Sequence, residues 1–193
     1  MRRAMLGGDD GLQLQRFFQV FLEEFRGSLA AECRLRSDLI PALFSRRTWA
    51  RSVELQIQEH DVGDLYAVGS AIAVRAKPRA GTQPTLYDYD PSGEWTFFSQ
   101  IQGSSGRCIK QPDNENPTGE WNTVELIAFH DDAIHIVNGK VVMRLHGPMR
   151  IDSPVPTPIN SGQIILQSEG AEVFYRDIQI KQISAIPPEF AAK

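Results

Sequence analysis

The sequence predicts an all-β fold, an antiparallel jelly-roll sandwich that runs from about residue 51 to residue 186. Residues 52–60 read SVELQIQEH and alternate strictly between polar and apolar side chains, which is the period of a strand with one face on a core. The pair Asn138-Gly139 separates two apolar runs and predicts a type I′ hairpin, because both central residues of that turn need a positive φ. Short strands with frequent turn clusters between them are typical of sandwiches and jelly rolls.

Most of the other strands are predicted from apolar, β-branched runs that are separated by turn residues. Residues 81–106 contain several Gly- and Pro-bearing turn clusters and are predicted to form a loop. The predicted strands cover residues 65–75, 122–130, 133–137, 140–145, 163–167 and 172–181. The side chains that we expect to be mostly buried are Val53, Leu55, Ile57, Leu126, Ile134, Ile136, Leu166 and Ile178.

The last predicted strand breaks its own alternation. Val173 and Tyr175 share one parity, while Ile178 and Ile180 share the other. One extra residue near Arg176-Asp177 would put all four side chains on the same face. We therefore predict a β-bulge there, a feature that re-aims side chains and is common beside active sites.

Residues 1–50 have a different character. Residues 12–25 fit either an amphipathic helix or a strand, and residues 31–47 are rich in Arg and Leu without a clear period. We therefore divide the chain into an atypical N-terminal segment (1–50), a jelly-roll domain (51–186) and a C-terminal tail (187–193) that follows Pro187. The N-terminal segment is expected to be the least ordered part.

Composition and charge exclude several classes of function. The formal net charge is −4 and no basic stripe is present, so nucleic acid is not an expected partner. No apolar run approaches the roughly 20 residues of a membrane span. The two cysteines, Cys33 and Cys108, form neither a disulfide framework nor a metal-binding spacing. The basic start of the chain is not followed by the apolar region of a signal peptide, so we expect no export signal in it.

Six short motifs follow one another along residues 52–183. They are Glu54-Leu-Gln-Ile57, Gly63-Asp-Leu-Tyr66, Gly119-Glu-Trp-Asn122, Val137-Asn-Gly139, Gly162-Gln-Ile-Ile-Leu-Gln167 and Val173-Phe-Tyr-Arg-Asp-Ile178. In their order and spacing these motifs resemble the 3-keto-disaccharide hydrolase family. The resemblance implies a concanavalin A-like jelly roll of two curved antiparallel sheets, with a carbohydrate or glycoside bound on the concave face, and it suggests a periplasmic or extracellular location.

The resemblance implies a substrate whose glucosyl C3 is already a ketone, which makes the hydrogen on C2 acidic. A base removes that proton, the aglycone leaves C1 by β-elimination, and water adds back. Glu54 is the expected base, because a partly desolvated carboxylate is a stronger base than a solvated one. His60 is the second candidate for acid or base, and Arg176 is expected to stabilise the enolate or bind the substrate.

The polar side chains that alternate along residues 52–60 would face the carbohydrate cleft in such a fold. Sugars need planar polar groups that both donate and accept hydrogen bonds, together with stacking rings. The expected substrate-binding residues are Gln56, Gln58, Tyr66, Gln167 and Trp95. We expect no cofactor, although a divalent metal held by His60, Asp61 and Asp64 is an alternative electrophile.

The N-terminal segment departs from the family pattern. The Asn-Ser-Gly segment that normally precedes the Glu-x-Gln strand is absent from residues 26–51. One codon choice for residues 39–43, read in a shifted frame, would encode Asp-Ser-Gly-Ile. We therefore hypothesise a frameshifted or misannotated N-terminus, which an unbroken reading frame in the resequenced gene would reject.

Two other functions compete with this interpretation. A non-catalytic carbohydrate-binding module would use the same concave face without a poised base. Retaining β-glucanases of this general fold carry Glu-x-Asp-x-x-Glu, and residues 54–59 have that spacing with Gln56 in place of Asp. Those enzymes need two carboxylates about 5–5.5 Å apart, whereas Glu54 and Glu59 face opposite sides of a regular strand, so the glucanase alternative is disfavoured.

Overall fold

Two antiparallel sheets pack face to face in the computed structural model, which describes residues 19–22, 27–36, 51–100, 106–151, 154–166 and 172–192. This part of the chain contains strands and one short 3₁₀ turn but no α-helix, as the sequence predicted. The strands are β1 (Gln19–Leu22), β2 (Gly27–Arg36), β3 (Ser52–Leu55), β4 (Leu65–Val68), β5 (Ser70–Pro78), β6 (Tyr87–Tyr89), β7 (Glu94–Phe98), β8 (Arg107–Cys108), β9 (Asn122–Phe129), β10 (Asp132–Val137), β11 (Lys140–Arg150), β12 (Thr157–Pro158), β13 (Ser161–Ile165) and β14 (Glu172–Gln182).

The smaller sheet has the strand order β13-β1-β3-β4-β8, and the larger has the order β14-β2-β9-β10-β11-β5-β6. Two further strands join the larger sheet, since β12 pairs with β11 and β7 pairs with β5. We call them the five-stranded and the nine-stranded sheet. This arrangement is the predicted jelly-roll sandwich of the concanavalin A-like type.

The core fills the space between the two sheets. It combines Val53 and Leu55 of β3 with Val124 and Leu126 of β9, all of them buried. A second, smaller cluster of Ile127, Ile134 and Ile136 lies on the outer face of the nine-stranded sheet. The predictions of burial are confirmed for Val53, Leu55, Ile57, Leu126, Ile134 and Ile136, whereas Leu166 is half-buried against the core.

The strand predicted over residues 52–60 is shorter than expected, because β3 ends at Leu55. The chain then turns, and the turn is closed by backbone hydrogen bonds from the Gln56 N–H to the Asp64 carbonyl and from the Gly63 N–H to the Gln56 carbonyl, both 2.9 Å long. His60 has a φ of 70°, which no regular strand allows. The polar alternation therefore continues past Leu55 in sequence but not in structure.

The prediction of a loop over residues 81–106 is wrong for part of that range. Both β6 and β7 pair with β5, and Phe98 at the end of β7 is completely buried in the core. The turn residues that suggested a loop separate these short strands. Pairing with β5, which is a tertiary contact, makes them strands.

The two local backbone predictions are confirmed. Asn138 and Gly139 have φ values of 49° and 77°, as a type I′ turn requires. In β14, Arg176 pairs with Glu32 but Gln179 pairs with Ala30, so β14 carries one extra residue at the predicted bulge. The extra residue brings Asp177 to a φ of 50°, a conformation that Asp and Asn adopt more readily than most residues.

The burial predicted for Ile178 is wrong, because 47% of this residue is exposed. The bulge does return Ile178 and Ile180 to the face of β14 that carries Val173 and Tyr175. Only Val173 and Tyr175 pack against the core, however. β14 is the edge strand of its sheet, and Ile180 beyond the bulge is also exposed.

The N-terminal segment contributes a strand to each sheet. β1 pairs with β13 and β3, and β2 lies between β14 and β9. Part of the range predicted as either a helix or a strand is thus the strand β1. The rest of that range lies outside the described residues, as does the proposed frameshift segment at residues 39–43.

The segment after β14 covers the part of the outer face of the nine-stranded sheet that is formed by β9 and β10. Ile183, Ile186 and Phe190 pack on the second apolar cluster, and Arg144 Nη2 donates a 2.7 Å hydrogen bond to the Phe190 carbonyl. No helix in the described part of the chain is long and apolar enough to cross a membrane.

Candidate functional site

A carboxylate, a phenol and a guanidinium lie side by side on the outer face of the five-stranded sheet. Glu54 of β3 pairs with Tyr66 of β4, and Tyr66 pairs with Arg107 of β8. Their neighbours along the strands, such as Leu55 and Leu65, point into the core, so these three side chains point outwards. Directly paired residues on one sheet face have Cβ atoms about 4.5–5.5 Å apart. We call this row the Glu54 face.

Glu54 is buried although it lies on the outer side of its sheet, with only 5% of the residue exposed. Ser52, on the same side of β3, is buried as well. The strand is therefore covered on both faces. A carboxylate in such a position is shielded from water, which strengthens its electrostatic interactions with its neighbours.

Tyr66 is a hydrogen-bond donor at any ordinary pH. Burial raises the pKa of its hydroxyl to about 12, the nearby Arg107 lowers it, and the carboxylates of Asp61, Asp64 and Glu54 raise it further. The Arg107 Cζ lies 5.4 Å from the centre of the Tyr66 ring. The phenol thus keeps its proton while its ring lies beside a cation.

Arg107 is fixed by two carboxylates. Its Nη2 lies 2.6 Å from Asp61 Oδ1 and 2.7 Å from Asp64 Oδ2, and its Nε donates a 2.9 Å hydrogen bond to the same Asp64 oxygen. Asp64 is completely buried. Burial raises the pKa of Asp64 to about 6, although the Lys110 N–H and Arg107 favour its ionised form.

A second buried ion pair holds the turn that follows β3. Lys110, only 2% exposed, places its Nζ 2.7 Å from Glu115 Oε1 and 2.5 Å from the His60 carbonyl oxygen. Glu115 also accepts hydrogen bonds from the backbone N–H groups of His60 and Val62, 3.0 and 2.9 Å long. The turn is therefore a rigid boundary at one end of the Glu54 face.

The remaining predicted residues near β3 do not extend the row. Gln56 is half-buried, and its Oε1 accepts a 2.8 Å hydrogen bond from the Ile57 N–H. Gln58 and His60 lie in the turn and are exposed, and the His60 Nε2 is 4.0 Å from Glu59 Oε1. Glu54 is thus separated from Gln58 and His60 by the end of the strand.

Arg176 lies on the opposite side of the sandwich. Val173 and Tyr175 of β14 pack on the core, so Arg176 points outwards from the nine-stranded sheet. Its Cζ lies 4.1 Å from the centre of the Trp121 ring. The bulge therefore occurs where the sequence predicted it, but it does not bring Arg176 to Glu54.

Trp95 is also on the outer face of the nine-stranded sheet. Phe98, three residues further along β7, points into the core, so Trp95 points to the other side, where it pairs with the exposed Arg75. Trp95 is therefore not part of the Glu54 face. Gln167, the last of the predicted substrate-binding residues, lies outside the described part of the chain.

Asp61 and Asp64 bind Arg107, and the sequence had suggested them, with His60, as metal ligands. In the described ranges, no group of three or more His, Cys, Asp or Glu side chains is arranged to hold a metal ion. The cation that Asp61 and Asp64 bind in the fold is the guanidinium of Arg107.

Three residues that organise the site were not predicted from the sequence. Arg107 lies directly after a range predicted as a loop, and Lys110 and Glu115 lie in or beside a turn cluster. The one available signal was a pair of charged residues flanking the hydrophobic Cys108 and Ile109. That signal is too common to indicate a site.

The fold is that of the concanavalin A-like proteins, with a polar row on the outer face of one sheet. The chain belongs to the family of 3-keto-alpha-glucoside-1,2-lyase-like domains, whose model matches residues 38–181. The match begins before β3 and ends within β14. A comparison with curated proteins gives no match.

Proposed function

We propose that this protein cleaves 3-keto-glycosides or 3-keto-disaccharides on the Glu54 face. The observation that supports this proposal best is the row of Glu54, Tyr66 and Arg107 in a chain of the 3-keto-alpha-glucoside-1,2-lyase-like family. An elimination from a β-alkoxy ketone needs a base, a group that holds the enolate and a proton for the leaving oxygen. The row provides a side chain for each of the first two tasks.

In the proposed reaction, Glu54 removes the proton from C2, and the electron pair of the C–H bond forms the enolate with the C3 ketone. The Tyr66 hydroxyl donates a hydrogen bond to the enolate oxygen, and Arg107 stabilises its negative charge. The enolate then expels the aglycone oxygen from C1, and that oxygen takes a proton from a water molecule. The resulting hydroxide adds to C1 of the unsaturated sugar and Glu54 returns its proton to C2, so that the net reaction is hydrolysis.

The other residues predicted for catalysis have weaker support. His60 is the alternative acid or base, since its exposed ring lies at the edge of the turn that bounds the Glu54 face. In this proposal Arg107 stabilises the enolate, the role that we expected of Arg176 from the sequence. Gln56 and Gln58 remain proposed substrate-binding groups at the same edge.

A chromogenic 3-keto-glucoside tests the proposal. Glu54→Gln keeps the shape of the side chain but removes its basicity, so we expect kcat to fall by about 10²–10⁴-fold while the substrate still binds. In deuterated water, the wild-type protein should also exchange the C2 hydrogen, and Glu54→Gln should not. Glu59→Gln in the neighbouring turn is the matched control and should retain activity. An unchanged kcat in Glu54→Gln would transfer the role of base to His60.

The alternative function is a non-catalytic carbohydrate-binding module, and the burial of Glu54 favours it. A carboxylate with so little exposed surface can support the binding surface without reaching a substrate carbon. Sugar binding by the wild-type protein without aglycone release or C2 exchange from any 3-keto-glycoside would select this alternative.

A further inference from the structure

Two large aromatic side chains are exposed on the strand β7. Trp95 is 51% exposed and Phe97 is 67% exposed, and the two share the outer face of the nine-stranded sheet. Adjacent exposed rings on one sheet face are uncommon in proteins that bind nothing there, because each exposes a large apolar area to water.

Trp95 is held in place by its neighbours. Arg75 pairs with it across the strands, and the Arg75 Cζ lies 4.8 Å from the centre of the indole ring. Arg75 Nη1 donates a 3.0 Å hydrogen bond to the Gly93 carbonyl, which fixes the guanidinium. The His146 ring lies on another side of the indole, with 5.8 Å between the ring centres. The indole is therefore pre-positioned, which lowers the entropy cost of binding.

The two exposed rings adjoin a small residue on the neighbouring strand. Ala73 of β5 pairs with Phe97 on one side and with His146 of β11 on the other. Ala73 is only 6% exposed and the ring centres of Trp95 and His146 are 5.8 Å apart, so the larger side chains cover its methyl group. We call the surface formed by Arg75, Trp95, Phe97, Ala73, His146 and Asp132 the Trp95 platform.

Polar groups border the Trp95 platform on two sides. The His146 Nδ1 lies 2.8 Å from Asp132 Oδ1, and both side chains are about half exposed. Since Nδ1 donates to that carboxylate, the Nε2 of His146 points away from Asp132. Together with Asp132 Oδ2 and the guanidinium of Arg75, it offers hydrogen-bond acceptors and donors next to the exposed rings.

From this geometry we propose that the Trp95 platform is a second carbohydrate site, which binds a neutral pyranose unit of a glucan chain. The C–H face of a pyranose packs on an aromatic ring, and its hydroxyl groups both donate and accept hydrogen bonds. A purely apolar partner would displace water from Asp132 Oδ2 and from the Nε2 of His146 without replacing its hydrogen bonds. The platform and the Glu54 face lie on opposite outer faces of the sandwich, so one sugar ring cannot occupy both.

Electrophoresis in native gels that contain a soluble neutral glucan (laminarin, dextran or hydroxyethyl cellulose) tests the proposal. At least one of these glucans should retard the wild-type protein. Trp95→Ala/Phe97→Ala should weaken that binding by about ten-fold or more, since central aromatic anchors commonly contribute that much. Phe174→Ala is the matched control, because Phe174 is an exposed aromatic residue elsewhere on the same sheet, and it should leave the retardation unchanged.

Glu54→Gln separates this proposal from the proposed catalysis, because it should slow aglycone release by about 10²–10⁴-fold but keep the retardation by glucan. The absence of retardation with all three glucans, or equal retardation of the wild type and the double variant, would overturn the proposal. So would a wild-type dimer that the double variant converts to a monomer without any glucan effect, since the platform would then be an interface between copies of the chain.

Discussion

His135 Nδ1 lies 2.9 Å from the carbonyl oxygen of Gly63, in the buried space between the two sheets. A carbonyl oxygen only accepts hydrogen bonds, so Nδ1 carries the proton and the neutral ring is the form that fits. Burial lowers the pKa of His135 to about 4, against 6.5 for a solvated histidine. The contact links the strand β10 to the turn that bounds the Glu54 face.

This contact predicts that the contribution of His135 to stability is lost in mild acid. Between pH 6.5 and pH 4 the unfolded chain takes up a proton on His135 and the folded chain does not, so the free energy of unfolding falls as the pH falls. The expected change from this group is about 3 kcal/mol. Urea unfolding of the wild type and of His135→Gln at several pH values should show a difference that grows towards neutral pH.

The comparison with His135→Gln isolates the histidine, because Asp64 is common to both proteins. The raised pKa of Asp64 acts in the opposite direction and favours the folded state below pH 6. Parallel stability profiles for the two proteins between pH 4 and pH 6.5 would contradict the prediction.

Removal of the Lys110 cation should destabilise the turn after β3. Lys110→Met leaves Glu115 without its buried partner, and breaking a buried pair on one side costs about 3–5 kcal/mol. The free energy of unfolding in urea measures this cost. Lys140→Met, at an exposed position in the β10–β11 hairpin, is the control and should change stability by about 0.5 kcal/mol or less.

The double variant Lys110→Met/Glu115→Gln should recover part of the lost stability, because no buried charge then lacks its counterion. If Lys110→Met were as stable as the wild type, the ion pair would not hold the turn.

Substitution of Gly63 should be more harmful than substitution of another glycine with positive φ. Gly63 has a φ of 101°, and a Cβ there would lie 2.8 Å from Val142 Cγ2 and 3.0 Å from Val137 Cγ2. Gly139 has a φ of 77°, but a Cβ there would meet nothing within 4 Å. Gly139→Ala should cost about 1–2 kcal/mol from the backbone alone, and Gly63→Ala should add about 1–3 kcal/mol from the clash.

Thermal or urea unfolding of the two alanine variants measures this difference directly. Equal losses of stability would mean that the valine side chains move aside freely, and that the close packing around Gly63 contributes little.

Tyr66→Phe should lower turnover on a 3-keto-glucoside without unfolding the protein. Removal of one hydrogen-bond donor to a developing oxyanion costs about 10²–10³-fold in kcat. Because burial raises the pKa of Tyr66 to about 12, the wild-type rate should show no loss from phenol ionisation up to about pH 10.

Tyr87→Phe is the control for that experiment, since Tyr87 packs edge-on against Phe98 at the core and not on the Glu54 face. If Tyr66→Phe retained the wild-type kcat, the enolate would be stabilised by Arg107 without help from the phenol.

The parts of the fold that were predicted from the sequence depend on short-range rules. The alternation around Val53 and Leu55 and the turn at Asn138 are set by neighbouring residues. The end of β3 was missed because the N–H of His60 donates its hydrogen bond to the carboxylate of Glu115, 55 residues further along the chain. No local pattern contains that information.

The same contrast between short-range patterns and long-range contacts applies to the site. Glu54 and Tyr66 were identified as polar residues with a candidate role, and the structure pairs them. Arg107 was missed because only the pairing of β8 with β4 brings it beside Tyr66. Arg176 was placed wrongly. A break in the alternation of side chains predicts the position of a bulge, but it does not show to which sheet the bulged strand belongs or which face its side chains take.

The pairing of β2 with β14 has a consequence for the order of assembly. Gly27 pairs with Gln182, so the two strands can meet only after almost the whole chain has left the ribosome. The hairpins of β9, β10 and β11 can form earlier, because their partners are close in sequence. Until β14 arrives, β2 presents an unpaired edge to other nascent chains. The yield of refolding from urea should therefore fall as the protein concentration rises.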